Sequence, residues 1–327
     1  MNVLRTAEKR LPYMVGGLLY SPAINVSLAE KIKNNFFPCL TSMAFCLEDS
    51  ICDGALEEAE KELCRTLDAI SRCNIPDEGM PLIFIRIRTP EHMKHVHKLI
   101  EPYYGVVIGY ILPKFDLYNC DEYKSIISAI NTKRDNPLYI MPILESRMIA
   151  DIKNRISNLL KIKDVLDSMR EYVLNVRVGG NDFSNLYGLR RSVYQNIYQI
   201  GVIQNILMDI INIFVADYVV SGPVWEYFGT DCSDPWATGL KAELSLDRLN
   251  GFIGKTAIHP SQLPLIYESM KVKRSDYEDA IKILGWTSPA LGVEKSFDGS
   301  RMNEVKCHSR WAQRIAALGE IYGILDE

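Results

Sequence analysis

Two carboxylates stand at the ends of consecutive apolar runs in this chain. Leu138 to Leu144 leads into Glu145, and Val173 to Val178 leads through Gly179 and Gly180 to Asp182. Acidic side chains at the ends of buried strands suit a hard divalent cation such as Mg²⁺. Such a cation takes oxygen ligands and keeps water or substrate in its remaining positions. Each residue also has an ordinary structural reading: Glu145 as the cap of the next helix, Asp182 as part of a Gly-Asn-Asp turn.

Other strand-like runs finish in charge as well. Leu47 is followed by Glu48 and Asp49, Ile85 by Arg86 and then Arg88, Pro113 by Lys114, and Ile258 by His259. One charged strand end is unremarkable, whereas several convergent ones describe a site. Arg86 is the candidate substrate clamp, because a guanidinium grips a carboxylate with two hydrogen bonds and stabilises charge developing on an oxygen. An ion pair with Glu48 or Asp49 is its structural alternative. Glu48 and Asp49 are placed behind the reacting groups, orienting Arg86 or metal-bound water. Lys114 pairs with Glu48 or Glu145, in a catalytic or a purely structural role. His259, before Pro260, reads as a satisfied structural histidine rather than a base. His92, His95 and His97 have metal-like spacing, but on a helix His97 leaves the face that the other two share, which makes a solvated surface the better reading.

These positions require elements to hold them. Strand patterns occur at Val15–Tyr20, Met43–Leu47, Leu82–Ile87, Val106–Leu112, Tyr139–Leu144, Val173–Val178, Phe214–Val220 and Phe252–Ile258. Helical patterns fall between them: Leu28–Asn34, Ala55–Ser71, Glu91–Ile100, Asp121–Thr132, Arg147–Met169, Leu186–Ile211 and Leu240–Leu249. Ser261–Met270 and Arg274–Leu284 follow the last strand. Strand and helix alternating eight times predicts an α/β fold, a (β/α)₈ TIM barrel, whose chemistry gathers at the strand C-termini. A doubly wound sheet is the alternative, but no GxGxxG follows any strand. The barrel is assigned to residues 1–284. Residues 285–327 begin as a Gly/Ser/Pro-rich loop and end in a helix near Val305–Ile324, a C-terminal extension suited to covering a barrel mouth or packing on a neighbouring subunit.

The bulk composition agrees. The chain has 327 residues, 47% hydrophobic and 24% charged, ordinary for a globule with a large core. A net charge of -4 gives no nucleic-acid or membrane footprint, and no apolar run spans a bilayer. Residues 1–13 lack an apolar signal core, so a cytoplasmic location is expected. Eight cysteines without a CxxC pair argue for reduced thiols rather than a zinc ribbon or disulfide scaffold.

With these residues in view, the chain resembles the citrate lyase β-subunit and HpcH/HpaI aldolase superfamily. The likeness rests on LYSPA (Leu19–Ala23), CLEDS (Cys46–Ser50), IRIRT (Ile85–Thr89), ILPK (Ile111–Lys114), ILES (Ile143–Ser146), GGNDF (Gly179–Phe183) and GKTAIHPSQL (Gly254–Leu263), in that order. DFSNLYGLRR (Asp182–Arg191) and VVSGPVWEYFG (Val219–Gly229) look like the branch described as C–C bond lyases of the TIM-barrel fold, associated with tellurium-resistance-type gene clusters. The resemblance implies Mg²⁺ held by Glu145 and Asp182, a substrate bound by Arg86, and retro-Claisen or aldol-type cleavage of a small oxo- or hydroxy-acid, or its reverse. It also implies a homo-oligomer, a trimer or a multiple of one.

One departure stands out. CoA-dependent members carry an aspartate acid/base in a C-terminal motif, and the matching stretch here, Gly299–Glu304, places Asn303 there. An amide does not transfer a proton as a carboxylate does. The resemblance therefore leaves a CoA thioester open while Asn303 disfavours it. A second class of function follows from the same residue: a non-catalytic or partner-dependent subunit of a biosynthetic complex, docking through Val224–Phe228. A phosphate-transfer role is the weakest reading, since no Walker A loop is present.

Overall fold

The computed structural model describes residues 10–73, 79–288, 290–296 and 299–325. The expectation drawn from residues 1–13 therefore falls largely outside the described residues, as do parts of the loop after Leu284. The chain divides into two compact units. Residues 15–266 form one, and the described residues of 1–14 and 267–327 form the other.

The first unit is a barrel. Its strands are β1 Gly17–Pro22, β2 Ser42–Cys46, β3 Leu82–Arg86, β4 Val107–Leu112, β5 Tyr139–Leu144, β6 Val176–Val178, β7 Val220–Ser221 and β8 Lys255–Ala257. All neighbours pair in parallel, in the order β7-β6-β5-β4-β3-β2-β1-β8. A parallel bridge between Gly222 and Lys255 joins the two ends of the sheet, with Ile253 N donating to Val220 O at 2.8 Å. Strands packed on both faces need continuous apolar runs, and Met43, Phe45, Ile83, Ile85, Ile140 and Met141 are all fully buried.

Helices cover the outside because one stripe of each is apolar. In Leu56–Ser71, residues Ala59, Leu63, Leu67 and Ile70 are buried at helical spacing. Pro90–Leu99 starts where Thr89 Oγ1 accepts from the His92 N–H at 3.2 Å, with Pro90 in the first helical position. Pro235–Asn250 ends at Gly251, whose φ of 99° is the left-handed cap that glycine tolerates best.

Two expected helices differ. The pattern over Arg147–Met169 is two helices, Arg147–Ala150 and Arg155–Asp167. Between them Asp151 turns the chain by accepting from the Lys153 N–H and from Asn154 Nδ2. Leu186–Ile211 resolves into a short helix, Gly180–Leu186, then a loop, then Gly201–Phe214. Gly188, with φ of 64°, ends the first piece. Phe214 closes a helix instead of opening β7, because its ring completes the buried stripe of Ile203, Ile206, Leu207 and Ile210.

In the second unit, helix Arg274–Leu284 packs on helix Val305–Tyr322. A hairpin of Val293–Lys295 with Met302–Glu304 and a parallel pair of Val272–Lys273 with Ile324–Leu325 accompany them. Arg301 ties the hairpin to the first of these helices through Asp276 and Asp279. No helix among the described residues is long and apolar enough to cross a membrane.

Candidate metal and substrate site

The C-terminal ends of β1, β2, β3, β5, β6 and β8 surround a cavity of about 410 Å³. Tyr20, Cys46, Asp49, Arg86, Glu145, Arg177, Asp182 and Thr256 line it together with the backbone of Gly179 and Gly180. Of the sequence-predicted residues, Asp49, Arg86, Glu145 and Asp182 thus converge on it from segments far apart in the chain, whereas Glu48 and Lys114 do not line it and join the group through ion pairs with Arg86 and with each other.

Glu145 follows β5 and is 6% exposed. Its Oε1 accepts the Lys114 backbone N–H at 2.9 Å. Burial drives its carboxyl up to about 8, the neighbouring Asp182 pushes the same way, and Arg86 pulls against them. Two adjacent carboxylates in a low-dielectric wall do not both ionise readily without a cation or a shared proton. Asp182 sits in the first turn of Gly180–Leu186, immediately after β6. Gly179 makes the approach possible: a Cβ there would lie 2.1 Å from Glu145 Oε2.

Arg86 ends β3 and is buried. Its Nη2 lies 2.7 Å from Glu48 Oε2, 3.1 Å from Asp49 Oδ2 and 3.8 Å from Glu145 Oε1. Its Nε has no partner, and its guanidinium lies 5.5 Å from the Tyr20 ring centroid. The ion-pair reading of Arg86 is thus met by Glu48 and Asp49, while the same side chain lines the cavity. Burial raises the Glu48 carboxyl despite Arg86. Asp49 is buried less, and hydrogen bonding with Glu48 together with the charges of Arg86 and Lys114 outweighs that burial and lowers it. Lys114 Nζ pairs with Glu48 and lies 3.6 Å from Asp49 Oδ1. Lys114 thus reaches Glu48 with its side chain and Glu145 with its backbone.

The histidines are accounted for elsewhere. His259 Nδ1 accepts from the Ser261 N–H at 3.2 Å and its ring stacks on Phe228 at 4.4 Å, a local cap. His92 and His95 share Glu60, at 2.9 and 3.2 Å, while His97 contacts Tyr104 and Tyr110. None of the eight cysteines is in a disulfide. Within Val224–Phe228, Trp225 is fully buried and donates its indole N–H to Trp236 O at 3.1 Å, so most of that segment is a packed loop.

Sequence reasoning missed Tyr20, Thr256 and above all Arg177. A signal for Arg177 exists: in VLNVRVGG, period two sets Asn175, Arg177 and Gly179 on one face, against Val176 and Val178 on the other. A charge on the closed face of a barrel strand is unusual enough to mark it.

Comparison with solved structures returns the same fold at low identity. CitE from Mycobacterium tuberculosis, in complex with magnesium, acetoacetate and coenzyme A, superposes with a TM-score of 0.61 and 16% identity, covering 93% of this chain and 98% of that one. A citrate lyase from Burkholderia xenovorans LB400 gives a TM-score of 0.66 and 13% identity, covering 95% and 93%. The citrate lyase β subunit complexed with oxaloacetate and magnesium, also from M. tuberculosis, gives 0.51 and 16% identity over 79% and 98%. No curated protein matches the chain at the sequence level. The family model described as "C-C_Bond_Lyase of the TIM-Barrel fold" matches residues 9–324, and the chain belongs to that family of carbon–carbon lyases.

Proposed function

We propose that this chain is a Mg²⁺-dependent lyase that cleaves, or in reverse joins, a carbon–carbon bond in a small oxo- or hydroxy-acid. The observation that carries the reading is the juxtaposition of Glu145 and Asp182 in the cavity wall, next to Arg86. The donor set fits the ion. Two carboxylates supply hard oxygens, and the upward push on Glu145 is the electrostatic strain that a divalent cation relieves. Two protein carboxylates would fill two of the ion's positions, and water and a chelating substrate would take the others. Solved relatives carry magnesium with oxaloacetate or acetoacetate, supporting the same ligand class here.

When bound, Mg²⁺ supplies a Lewis acid for the oxo oxygen of the 2-oxo acid fragment. The chain's own groups do the rest. Glu48 and Asp49 fix the Arg86 guanidinium, so it meets the reacting bond already oriented. As the bond breaks, Arg86 faces the oxygen of the departing fragment where negative charge develops. Lys114 holds Glu145 in place through its amide and offsets the charge of Glu48 through its ammonium.

Asn303 favours a non-thioester substrate. It is buried in its hairpin, 4% exposed, with its Nδ2 unpaired. Glu304 beside it is exposed and accepts from Cys307 Sγ at 3.3 Å. The same residue supports the second reading, a subunit that keeps the metal and ligand site but turns over only with a partner protein. A homo-oligomer in the cytoplasm is the setting proposed, and light scattering of the purified chain tests its oligomeric state.

Thermal melting with Mg²⁺ against pyruvate, oxaloacetate, glyoxylate, acetyl-CoA and CoA tests the reading, since a ligand that binds the native state raises the midpoint. A rise with a 2-oxo acid that requires Mg²⁺ and disappears in Glu145→Ala and Asp182→Ala supports it. A rise independent of metal, or kept by both variants, overturns the metal assignment. A further rise with acetyl-CoA overturns the preference against thioesters.

A further inference from the structure

Arg177 is among the largest fully buried side chains of the barrel, 1% exposed, and it lines the cavity. Its Nη2 donates to Thr256 Oγ1 at 2.6 Å. Its Nε and Nη1 are buried without a hydrogen bond of good geometry, the Tyr20 phenol is the polar group beside the guanidinium, and no carboxylate among the described residues forms an ion pair with it. The other cations of this region are engaged: Arg86 with Glu48 and Asp49, Lys114 with Glu48. Burying a guanidinium without a counter-charge costs several kcal/mol in a folded protein. An anion entering the cavity removes that cost, and a neutral ligand does not.

Position defines which anion. Arg177 is in register with Ile143, and Leu144 with Val178, so Glu145 and Gly179 stand two residues further along the same face. Two residues of strand are a rise of about 6.6 Å. Arg177 therefore lies one layer deeper in the barrel than the carboxylate pair. A short dicarboxylate with its 2-oxo acid end at Glu145 and Asp182 spans that layer with its other end. A monocarboxylate leaves Arg177 unanswered.

We propose that Arg177, with Thr256 holding its guanidinium, is the recognition group for a second carboxylate of the substrate. The enzyme is then selective for dianionic 2-oxo acids, or hydroxy-acids that release them. This rests on the proposed metal site, which anchors the first end.

Calorimetric titration in Mg²⁺ separates the two ideas. Pyruvate has only the chelating end, whereas oxaloacetate and 2-oxoglutarate add a second carboxylate. The native chain should bind the better dicarboxylate at least tenfold more tightly than pyruvate. Arg177→Met should abolish that preference and leave pyruvate affinity within about twofold. Arg177→Lys, which keeps charge but loses the planar fork, should retain a reduced preference and serves if the Met variant does not fold. Pyruvate binding intact, with the dicarboxylate preference absent in the native chain or unchanged in both variants, overturns the role of Arg177 alone. Loss of Mg²⁺-dependent pyruvate binding in the native chain overturns the metal reading, and this proposal with it.

Discussion

The backbone N–H of Lys114 donates to Glu145 Oε1 across 2.9 Å, and Lys114 does so from a left-handed conformation with φ of 48°. The turn after β4 is thereby shaped around the carboxylate that follows β5. Lys114→Gly keeps the amide and relieves the backbone, so metal affinity should stay within a few-fold. Lys114→Val places a β-branched residue at positive φ and should cost about 1–2 kcal/mol in urea denaturation. Equal stability of the two variants would show that the conformation carries no strain.

Gly179 is the second support of the same carboxylate. Gly179→Ala adds one methyl group 2.1 Å from Glu145 Oε2 and should weaken Mg²⁺ binding at least tenfold. Gly201→Ala is the control, because nothing lies within 4 Å of its added Cβ. Calorimetry with Mg²⁺ alone reads both, and equal affinities would mean that the backbone of β6 gives way freely.

The raised Glu145 carboxyl makes a signed prediction for metal-free protein. Its folded value, about 8, lies above the ordinary carboxyl value of 4.5. Between these limits the native state holds more protons than the unfolded chain, so stability falls as pH rises from about 4.5 to about 8. Bound Mg²⁺ favours the ionised form and should flatten that slope. Melting curves from pH 5 to 8, with EDTA and with Mg²⁺, measure the difference. Parallel curves would remove Glu145 as the origin.

A buried ion cluster supports β8. Lys255 Nζ lies 2.9 Å from Glu243 Oε1 and 2.7 Å from Asp247 Oδ2, all three being essentially inaccessible. Lys255→Met leaves the carboxylates without this cation and should cost about 3–5 kcal/mol. A loss under about 1 kcal/mol in urea titration would mean that the acids take up protons in its place.

Much of the barrel was legible because apolar runs and strand ends obey local rules. Val107–Leu112 and Tyr139–Leu144 are continuous apolar stretches; the second finishes in Glu145, which lines the cavity, and the first leads to Lys114, which bonds Glu145 through its backbone and Glu48 through its side chain. The convergence of Glu48, Asp49, Arg86, Lys114, Glu145 and Asp182 follows from parallel strands sharing one end. The longest stretch that differs is Leu186–Ile211, where helical periodicity continues across a loop set by Gly188 and by the Asn196–Gln199 cap. Arg177 escaped notice because its meaning depends on which strand face is interior and on the absence of a paired carboxylate, both three-dimensional facts. GKTAIHPSQL matched as a motif, yet Lys255 and His259 have structural partners.

Lys255 also forms the bridge to Gly222 that joins β8 to β7, a strand of only two residues. The seam of the cylinder and its deepest charges therefore meet at one residue. Parting the seam would expose the ammonium and its two acids together, so no half-open intermediate is cheap. Closure is then an all-or-none event in folding, and the seam amides, Gly222 N–H bonded to Gly254 O and Ile253 N–H bonded to Val220 O, should exchange only on global unfolding.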